Sequence, residues 1–209
     1  MTRNVQKSRR GMVGVEAAIV LIAFVVIASA LAYVVINMGF FSAQKAKETI
    51  SQGVSEATSA LQLDGSVIAK TNNSKKVQYL VFPVKLSVGK SELDLSNDTI
   101  VVSVYSGDTV LLDIYNGSLT TDKTDLSQIL NNERLSGNAA VFVIYNDNGK
   151  NNTVLEQNEK AFLVINLSNK TLAEYAKVKV EVKASQGAAL TVERQIPGGL
   201  PSSGYVDLG

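Results

Sequence analysis

The first quarter of the chain differs from the rest in its hydrophobic pattern. No residue between Glu16 and Lys45 carries a charge. This stretch is longer than the roughly 20 apolar residues that a helix needs to cross a bilayer. It is also longer than the apolar core of about 7–15 residues in an ordinary secretory signal. The pattern predicts a long helix that is apolar on every side, and such a helix must be shielded from water by lipid or by protein.

The apolar stretch continues without a linker into an amphipathic segment. Its hydrophobic positions recur at spacings of four, three and four residues, as on one face of a helix: Ile50, Val54, Ala57 and Leu61. Gly65 is a suitable end point, because glycine adopts the left-handed conformation that closes many helices. We therefore predict a helix over residues 12–64, a rod of roughly 75 Å at about 1.5 Å per residue.

From residue 65 onward the hydrophobic pattern has a period of two. Val178, Val180 and Val182 alternate with charged residues, which predicts a strand with one solvent-facing side. Similar segments lie at 78–88, 99–106, 109–115, 139–145, 159–168 and 189–196. About seven strands at this spacing predict an antiparallel immunoglobulin-like β-sandwich over residues 65–209, and the fold class is α+β. The exception is 120–137, where we expect a loop with a short helix.

The composition restricts the chemistry that the chain can perform. None of its 209 residues is cysteine or histidine, which excludes disulfides, histidine-based triads and histidine-ligated zinc. No nucleophile elbow, phosphate loop or paired-acid motif stands out. The formal net charge of +1 gives no sign of a nucleic-acid partner. We therefore expect a protein that is not an enzyme and holds neither a cofactor nor a metal ion.

Basic residues are concentrated at the start of the chain. Residues 1–11 contain Arg3, Lys7, Arg9 and Arg10 and no acidic residue. Basic segments next to an apolar helix stay on the cytoplasmic side of a membrane. The residues that follow the helix are therefore expected to face outward.

Glu16 interrupts the apolar character of the helix near its start. An unpaired carboxylate in hydrocarbon costs about 3 kcal/mol even on lenient scales, so this group needs a cation or a place among lipid headgroups. In one interpretation it lies in the headgroup zone, near the positive end of the helix dipole. In the other, a cut after Gly11 creates an amine on Met12 that pairs with Glu16 of a neighbouring copy. Such a buried pair sets the axial register, because breaking it is costly.

The helix has two possible shields. Lipid would give a single-span anchored protein, whereas copies of the chain would give a polymer. Small residues that permit close helix approach recur along it, at Gly14, Ala17, Ala18, Ala23, Ala28, Ser29, Ala30, Ala32 and Gly39. These residues and the direct continuation into an amphipathic helix favour the polymer.

The N-terminal residues resemble a known family. KSRRG followed by MVGVEAAIVLIAFVVIASALAYVVINMG is similar to the start of archaellins (archaeal flagellins) and, more broadly, of type IV pilin-like subunits. The resemblance implies a class III, prepilin-type signal, whose basic leader is cut off between Gly11 and Met12. The matching positions are the leader residues Lys7, Arg9 and Arg10, the small residue Gly14 after the cut, and Glu16, the acid used in pilin assembly.

The C-terminal part of the chain also resembles archaellins. Residues 178–200, VKVEVKASQGAALTVERQIPGGL, are similar to the closing strand pair of that family, with Glu193, Arg194 and Pro197 in its ER-x-x-P turn. Residues 145–168, YNDNGKNNTVLEQNEKAFLVINLS, resemble the acidic turn between two of its strands. These matches favour an archaellin over other pilin-like proteins.

The resemblance implies a function, partners and a location. A chain of this family polymerises with copies of itself into the rotating filament of the archaellum, which drives swimming. The implied transient partners are a prepilin-type signal peptidase, an assembly ATPase and a membrane platform protein. The precursor would lie in the cytoplasmic membrane and the filament outside the cell. Residues 1–11 would be the cleaved leader, 12–64 the polymerisation helix and 65–209 the outer domain.

Six Asn-x-Ser/Thr sequons lie in the predicted β domain and none in the helix, as the deduced topology requires. They are Asn72, Asn97, Asn116, Asn151, Asn166 and Asn169. Archaellins are commonly N-glycosylated, so the resemblance implies that at least two of these sites carry glycans.

An acidic turn at 147–149, with Glu156 and Glu159 after it, has a faint similarity to an oxygen-rich calcium loop. The spacing is incomplete and Lys150 lies inside the segment. We interpret it as an ordinary Asx-type turn and expect no metal.

Two other functions stay open at this point. An archaeal adhesion pilin would share the processing and the helical core but attach cells to surfaces. A membrane-anchored immunoglobulin-like binding module would remain a monomer in lipid. The ER-x-x-P tail and the size of the β domain favour the archaellin over the adhesion pilin.

Overall fold

The computed structural model describes residues 10–107, 109–119, 126–146 and 152–209, and only the backbone of residues 10–13. The chain divides into two compact units, one ending at Gln52 and the other spanning Gly53–Gly209. The leader residues Lys7 and Arg9, the sequon at Asn151 and the acidic turn at 147–149 lie outside the described residues.

The first element is helix α1, which spans Arg10–Ala57 and contains 48 residues. It contains no proline, and its nine alanine residues favour the helical state. At about 1.5 Å per residue it is roughly 72 Å long. The long N-terminal apolar helix predicted from the sequence is confirmed.

The predicted end of the helix at residue 64 is wrong, because α1 ends at Ala57. Leu61 continues the helical spacing of hydrophobic residues, yet it lies in a β-strand and is only 2% exposed. Ala60 is similarly buried. The core of the β domain therefore takes up these two side chains, and tertiary burial overrides the local helical pattern.

Among the described residues, the second unit contains thirteen strands and two short helical turns. The strands are β1 Leu61–Leu63, β2 Ile68–Thr71, β3 Val77–Leu86, β4 Glu92–Asp94, β5 Ile100–Ser106, β6 Thr109–Leu111, β7 Tyr115–Leu119, β8 Asn138–Tyr145, β9 Val154–Glu156, β10 Lys160–Leu167, β11 Lys177–Ala184, β12 Leu190–Gln195 and β13 Tyr205–Asp207. Helix α2 spans Leu126–Leu130 and is followed by a 3-10 turn at Glu133–Leu135.

Two sheets form the body of this unit. The larger has the strand order β13-β2-β3-β10-β8-β7, with β1 added on β3, and the smaller has the order β12-β11-β5-β6. Strands β4 and β9 form a separate pair. Side chains from both sheets share one buried cluster, including Phe142 and Ile165 from the larger and Val102 and Val180 from the smaller. The expected antiparallel β domain is confirmed, with one exception in the parallel pairing of β7 and β8.

The burial patterns of the strands follow from what covers each face. Strand β11 alternates as expected, because its valines are buried while Lys177, Lys179 and Lys183 are exposed. Strand β8 is instead buried along almost its whole length. Helix α2 and the 3-10 turn cover the outer face of the larger sheet, where Ile129 and Leu135 pack against it. The short helix predicted within 120–137 is therefore present, as α2.

The predicted strand 109–115 is divided into two strands in different sheets. Strand β6 belongs to the smaller sheet, and β7 belongs to the larger one. Asp113 lies between them with a positive φ of 48°. Because this conformation interrupts an extended strand, the chain changes direction here and crosses from one sheet to the other.

An ion-pair cluster joins three strands at the start of the β domain. Lys85 in β3 and Lys160 in β10 face each other in the register of the larger sheet, and two like charges in such positions destabilise a sheet. The carboxylate of Asp64 binds both, with Oδ1 at 2.7 Å from the Lys85 ammonium and Oδ2 at 2.6 Å from that of Lys160. Lys160 first, and Lys85 second, lower the pKa of Asp64 from its ordinary value of 3.8.

This cluster predicts an acid-sensitive contribution to stability. The pKa of Asp64 is lower in the folded chain than in the unfolded one, so its stabilisation is complete above about pH 4 and disappears as the pH falls through the folded pKa. We expect Asp64→Asn to lower the melting temperature at pH 7, and the difference from the wild type to shrink as the pH falls from 4 toward 2. Thermal unfolding followed by circular dichroism over this pH range measures this. An equal difference at pH 7 and pH 2 would contradict the assignment.

Candidate assembly helix and surface sequons

Helix α1 carries apolar side chains around its whole circumference. Every residue from Gly14 to Gln52 is exposed, and large side chains such as Val34 and Phe24 are 49% and 73% accessible. Burying one such side chain contributes about 1.5–3 kcal/mol. The segment Gly14–Ala57 is also long and apolar enough to cross a membrane. Water is therefore a poor environment for this helix, which needs lipid or protein around it.

The small residues of α1 leave room for close approach by another molecule. A Cβ atom placed on Gly14 or on Gly39 would meet no atom of the chain within 4 Å. Packing within the described chain therefore does not require glycine at either position. Small side chains on an apolar helix let a second helix backbone come close, which agrees with the polymer interpretation.

Two hydroxyl groups of α1 are already satisfied within the helix. The Ser29 hydroxyl donates to the carbonyl oxygen of Val26, and that of Thr49 donates to the carbonyl oxygen of Lys45, each at 2.9 Å. Burying a polar group is costly when it lacks a hydrogen bond. These residues therefore enter a dry helical bundle at a lower cost than their polarity indicates.

The charged residues of α1 lie near the two ends of its apolar stretch. Glu16 is exposed and makes no ion pair among the described residues. Lys45 and Glu48 form an ion pair at 2.7 Å, but both side chains are more than half exposed, and such a pair contributes about 0–1 kcal/mol. The predicted cleavage position falls in the first turn of the helix, since Arg10, Gly11 and Met12 have helical backbone.

Three of the sequons are accessible on the β domain. Asn97 and Asn169 are exposed. Asn72 is half-buried, and its side-chain oxygen accepts hydrogen bonds from the backbone N–H groups of Ser74 and Lys76 at 2.9 and 3.0 Å. The amide nitrogen of Asn72, the atom that a glycan would use, makes no hydrogen bond to any described residue.

The sequon at Asn116 has an exposed asparagine, but its polar groups are engaged or buried. The Asn116 amide nitrogen donates to the carbonyl oxygen of Arg134 at 2.8 Å. The hydroxyl residue of the sequon, Ser118, is buried. Both groups that glycosylation uses are therefore engaged or covered in the folded domain.

The folded domain disfavours Asn166 as a glycan acceptor, because this side chain is only 3% exposed. Its amide nitrogen donates to the carbonyl oxygen of Leu135, and its oxygen accepts the backbone N–H of Ser168 at 2.9 Å. Asn166 thus fastens the 3-10 turn to strand β10. The position of the sequon inside a predicted strand was the one signal in the sequence for this role.

The faint similarity to a calcium loop covers the acidic turn and the glutamates after it, and of these the structure describes Glu156 and Glu159. No group of three or more potential ligands occurs in the described part of the chain. Glu159 is 3% exposed, and its carboxylate accepts the backbone N–H of Glu156 at 2.9 Å. The carboxylate thus helps to hold the turn between β9 and β10.

The ER-x-x-P residues lie where the chain leaves the smaller sheet for the larger. Glu193 and Arg194 are in β12, and Pro197 begins the segment that leads to β13. The Arg194 guanidinium donates from Nε to the carbonyl oxygen of Gly209 at 2.6 Å. This motif therefore has a structural task, which is to fix the C-terminal segment against the domain.

Comparison with protein families gives a match over most of the chain. Residues 11–194 match the model of archaeal-type flagellin. The chain is 45% identical to a probable flagellin 1 of Aeropyrum pernix, over 97% of this chain and 100% of that protein. It is 31% identical to a probable flagellin 2 of Archaeoglobus fulgidus, over 94% of each.

Solved structures with the same fold agree with this match. The archaeal flagellum of Methanospirillum hungatei is similar with a TM-score of 0.52 and 25% identity, covering 93% of this chain and 98% of that one. The crystal structure of an archaeal flagellin from Methanocaldococcus jannaschii has a TM-score of 0.60 and 16% identity, over 71% of this chain and 95% of that one. The latter likeness shows the fold alone.

The buried contacts of Asn166 predict that this sequon residue is needed for stability. Asn166→Ala leaves the Leu135 carbonyl without its donor, and a buried unsatisfied group costs about 1–3 kcal/mol. We expect the melting temperature of the unglycosylated chain to fall by about 2–4 °C per kcal/mol. The matched control is Asn169→Ala at the exposed sequon three residues later, which should stay within about 0.5 kcal/mol of the wild type. Equal losses in the two variants would contradict the role of Asn166.

Proposed function

Because this chain belongs to the archaeal-type flagellin family, we propose that it is the structural subunit of an archaeal flagellum, which polymerises through helix α1 into a filament for swimming. Support comes from the family match over residues 11–194 and from the likeness to a flagellum structure. The observation that carries the proposal is the exposure of apolar side chains on every side of α1. In a filament, copies of the same helix cover these side chains.

The maturation of the subunit follows from its N-terminal sequence. The precursor lies in the cytoplasmic membrane through α1, with Lys7, Arg9 and Arg10 on the inner side. A prepilin-type signal peptidase cuts between Gly11 and Met12, before the small residue Gly14. An assembly ATPase and a membrane platform protein then add the mature chain to a filament that extends from the cell surface. The subunit itself performs no catalysis.

The transfer of α1 from lipid to the filament needs a specific driving force. Lipid tails are as apolar as the side chains of a helical bundle, so the transfer brings no hydrophobic gain. Close packing at small residues and the satisfaction of polar groups remain as sources of affinity. Glu16 is the side chain for which the difference is largest, since its carboxylate is costly when unpaired in lipid and can meet a cation in the filament. We assign it to assembly, with a cation of another copy as its partner.

Filaments sheared from cells test this function. We expect electron microscopy to show helical filaments whose subunit, by N-terminal sequencing, begins at Met12. Glu16→Gln should be cut at the same bond yet give far fewer filaments, because it removes the charge that pairs between copies. A trimmed wild-type chain that stays a lone molecule in the bilayer would refute the proposal. Normal filament yield from Glu16→Gln would refute only the role of Glu16.

We further propose that the outer domain is N-glycosylated at its accessible sequons. The expected occupied sites are Asn72, Asn97 and Asn169, while Asn116 and Asn166 stay bare because their amide groups are engaged in the fold. Glycopeptide mass spectrometry of native filaments measures this directly. An intact mass equal to that of the polypeptide alone, or a glycan on Asn166, would contradict the assignment.

A further inference from the structure

The cation that Glu16 meets in a filament can be sought on helix α1 itself. A stretch of 28 uncharged residues separates Glu16 from Lys45, and Lys47 follows two residues later. These two lysines are the cationic side chains of α1 among the residues whose side chains the structure describes. One end of the apolar stretch therefore carries an acid, and the other end carries bases.

The two lysines differ in their existing contacts. The Lys45 ammonium lies 2.7 Å from the carboxylate of Glu48 in the same helix. Lys47 makes no ion pair within the described part of the chain and is exposed. An acid from a second copy would have to compete with Glu48 for Lys45, but it would find Lys47 available.

The positions of the lysines around the helix point to the same choice. At about 100° per residue, Lys45 lies only about 20° from Glu16, on the same face, whereas Lys47 lies about 220° away, near the opposite face. Contacts between different faces of identical subunits are heterologous, and they continue into open helical polymers. A chain with its acid on one face and its free base on the other can pair with one copy on each side.

Each of the two charged residues is followed by an isoleucine at the same spacing along the helix. Ile19 lies three residues after Glu16, and Ile50 lies three residues after Lys47. Both isoleucines are exposed, at 62% and 67%. When two parallel helices are offset by the 31 residues between Glu16 and Lys47, the charges come to one level and the isoleucines to the next. The same offset thus brings both the charges and these two isoleucines to matching levels.

We propose that Glu16 of one copy binds Lys47 of a second copy, with the two parallel helices displaced by about 46 Å along their axes. This inference rests on the proposed function and names the partner of the assembly residue. The pair favours this axial register in the filament, because other offsets place Glu16 against Lys45, which Glu48 already binds, or leave its carboxylate without a lysine.

Single and double substitutions at Glu16 and Lys47 test whether these two residues pair between copies. Lys47→Gln leaves Glu16 without its cation, and we expect the yield of sheared filaments to fall by at least about tenfold, as it does for Glu16→Gln. The double variant Glu16→Lys with Lys47→Glu restores the pair with its charges exchanged and should recover most of the wild-type yield. Lys45→Gln is the matched control, which loses an exposed pair and should assemble normally. Intact masses confirm in each case that the leader has been removed.

The outcomes separate this inference from the function on which it rests. A Lys47→Gln variant that assembles as well as Lys45→Gln would overturn the pairing and leave polymerisation intact. A double variant as defective as the single ones would also overturn it. Absence of filaments from the wild type would instead reject the proposed function. In a wild-type filament, cryo-electron microscopy should show the Glu16 carboxylate and the Lys47 ammonium of contacting copies within about 4 Å.

Discussion

A helix with apolar side chains on every face is stable only where water is excluded from it, and this constraint governs the use of α1. Lipid and a bundle of copies exclude water equally well, so the same surface serves a membrane precursor and a filament. For this reason the hydrophobic effect does not decide between the two states. The choice between membrane and filament depends on the small residues and the charges of α1, which a filament can accommodate better than lipid can.

The β domain satisfies the opposite requirement, since it buries its apolar surface within one chain. The two sheets enclose a common core that contains Phe142 and Val180, and the segment 126–135 covers the outer face of the larger sheet. Hydrogen bonds such as those of Asn166 and Arg194 fasten the covering turn and the C-terminal segment. The domain contains no cysteine, and its cohesion comes from burial and hydrogen bonds. One chain thus combines a domain that buries its own apolar surface with a helix that needs lipid or other copies of the chain around it.

Periodicity predicted the elements that rely on local pattern, and it failed where distant residues decide. The alternation around Val180 located β11 correctly, because one face of that strand is buried and the other is exposed. Leu61 fits the helical spacing equally well, yet the core of the β domain draws it into a strand. Asp113 breaks a continuous apolar segment through a left-handed backbone that propensity does not reveal. Asn166 has an ordinary sequon, and only the turn packed above it shows that the side chain is buried.

The hydrophobic effect alone does not define the axial offset between two apolar helices, because hydrophobic burial is non-directional and roughly proportional to area. Sliding one charge-free stretch along another changes the buried area gradually, so many offsets between copies would be similar in free energy. A carboxylate at one end, and at the other an ammonium with no ion-pair partner among the described residues, favour one offset over the rest. Their net contribution to stability is small, but the cost of separating them is large. Placing Glu16 and Lys47 at opposite ends of the apolar stretch therefore gives a non-specific surface one defined way to polymerise.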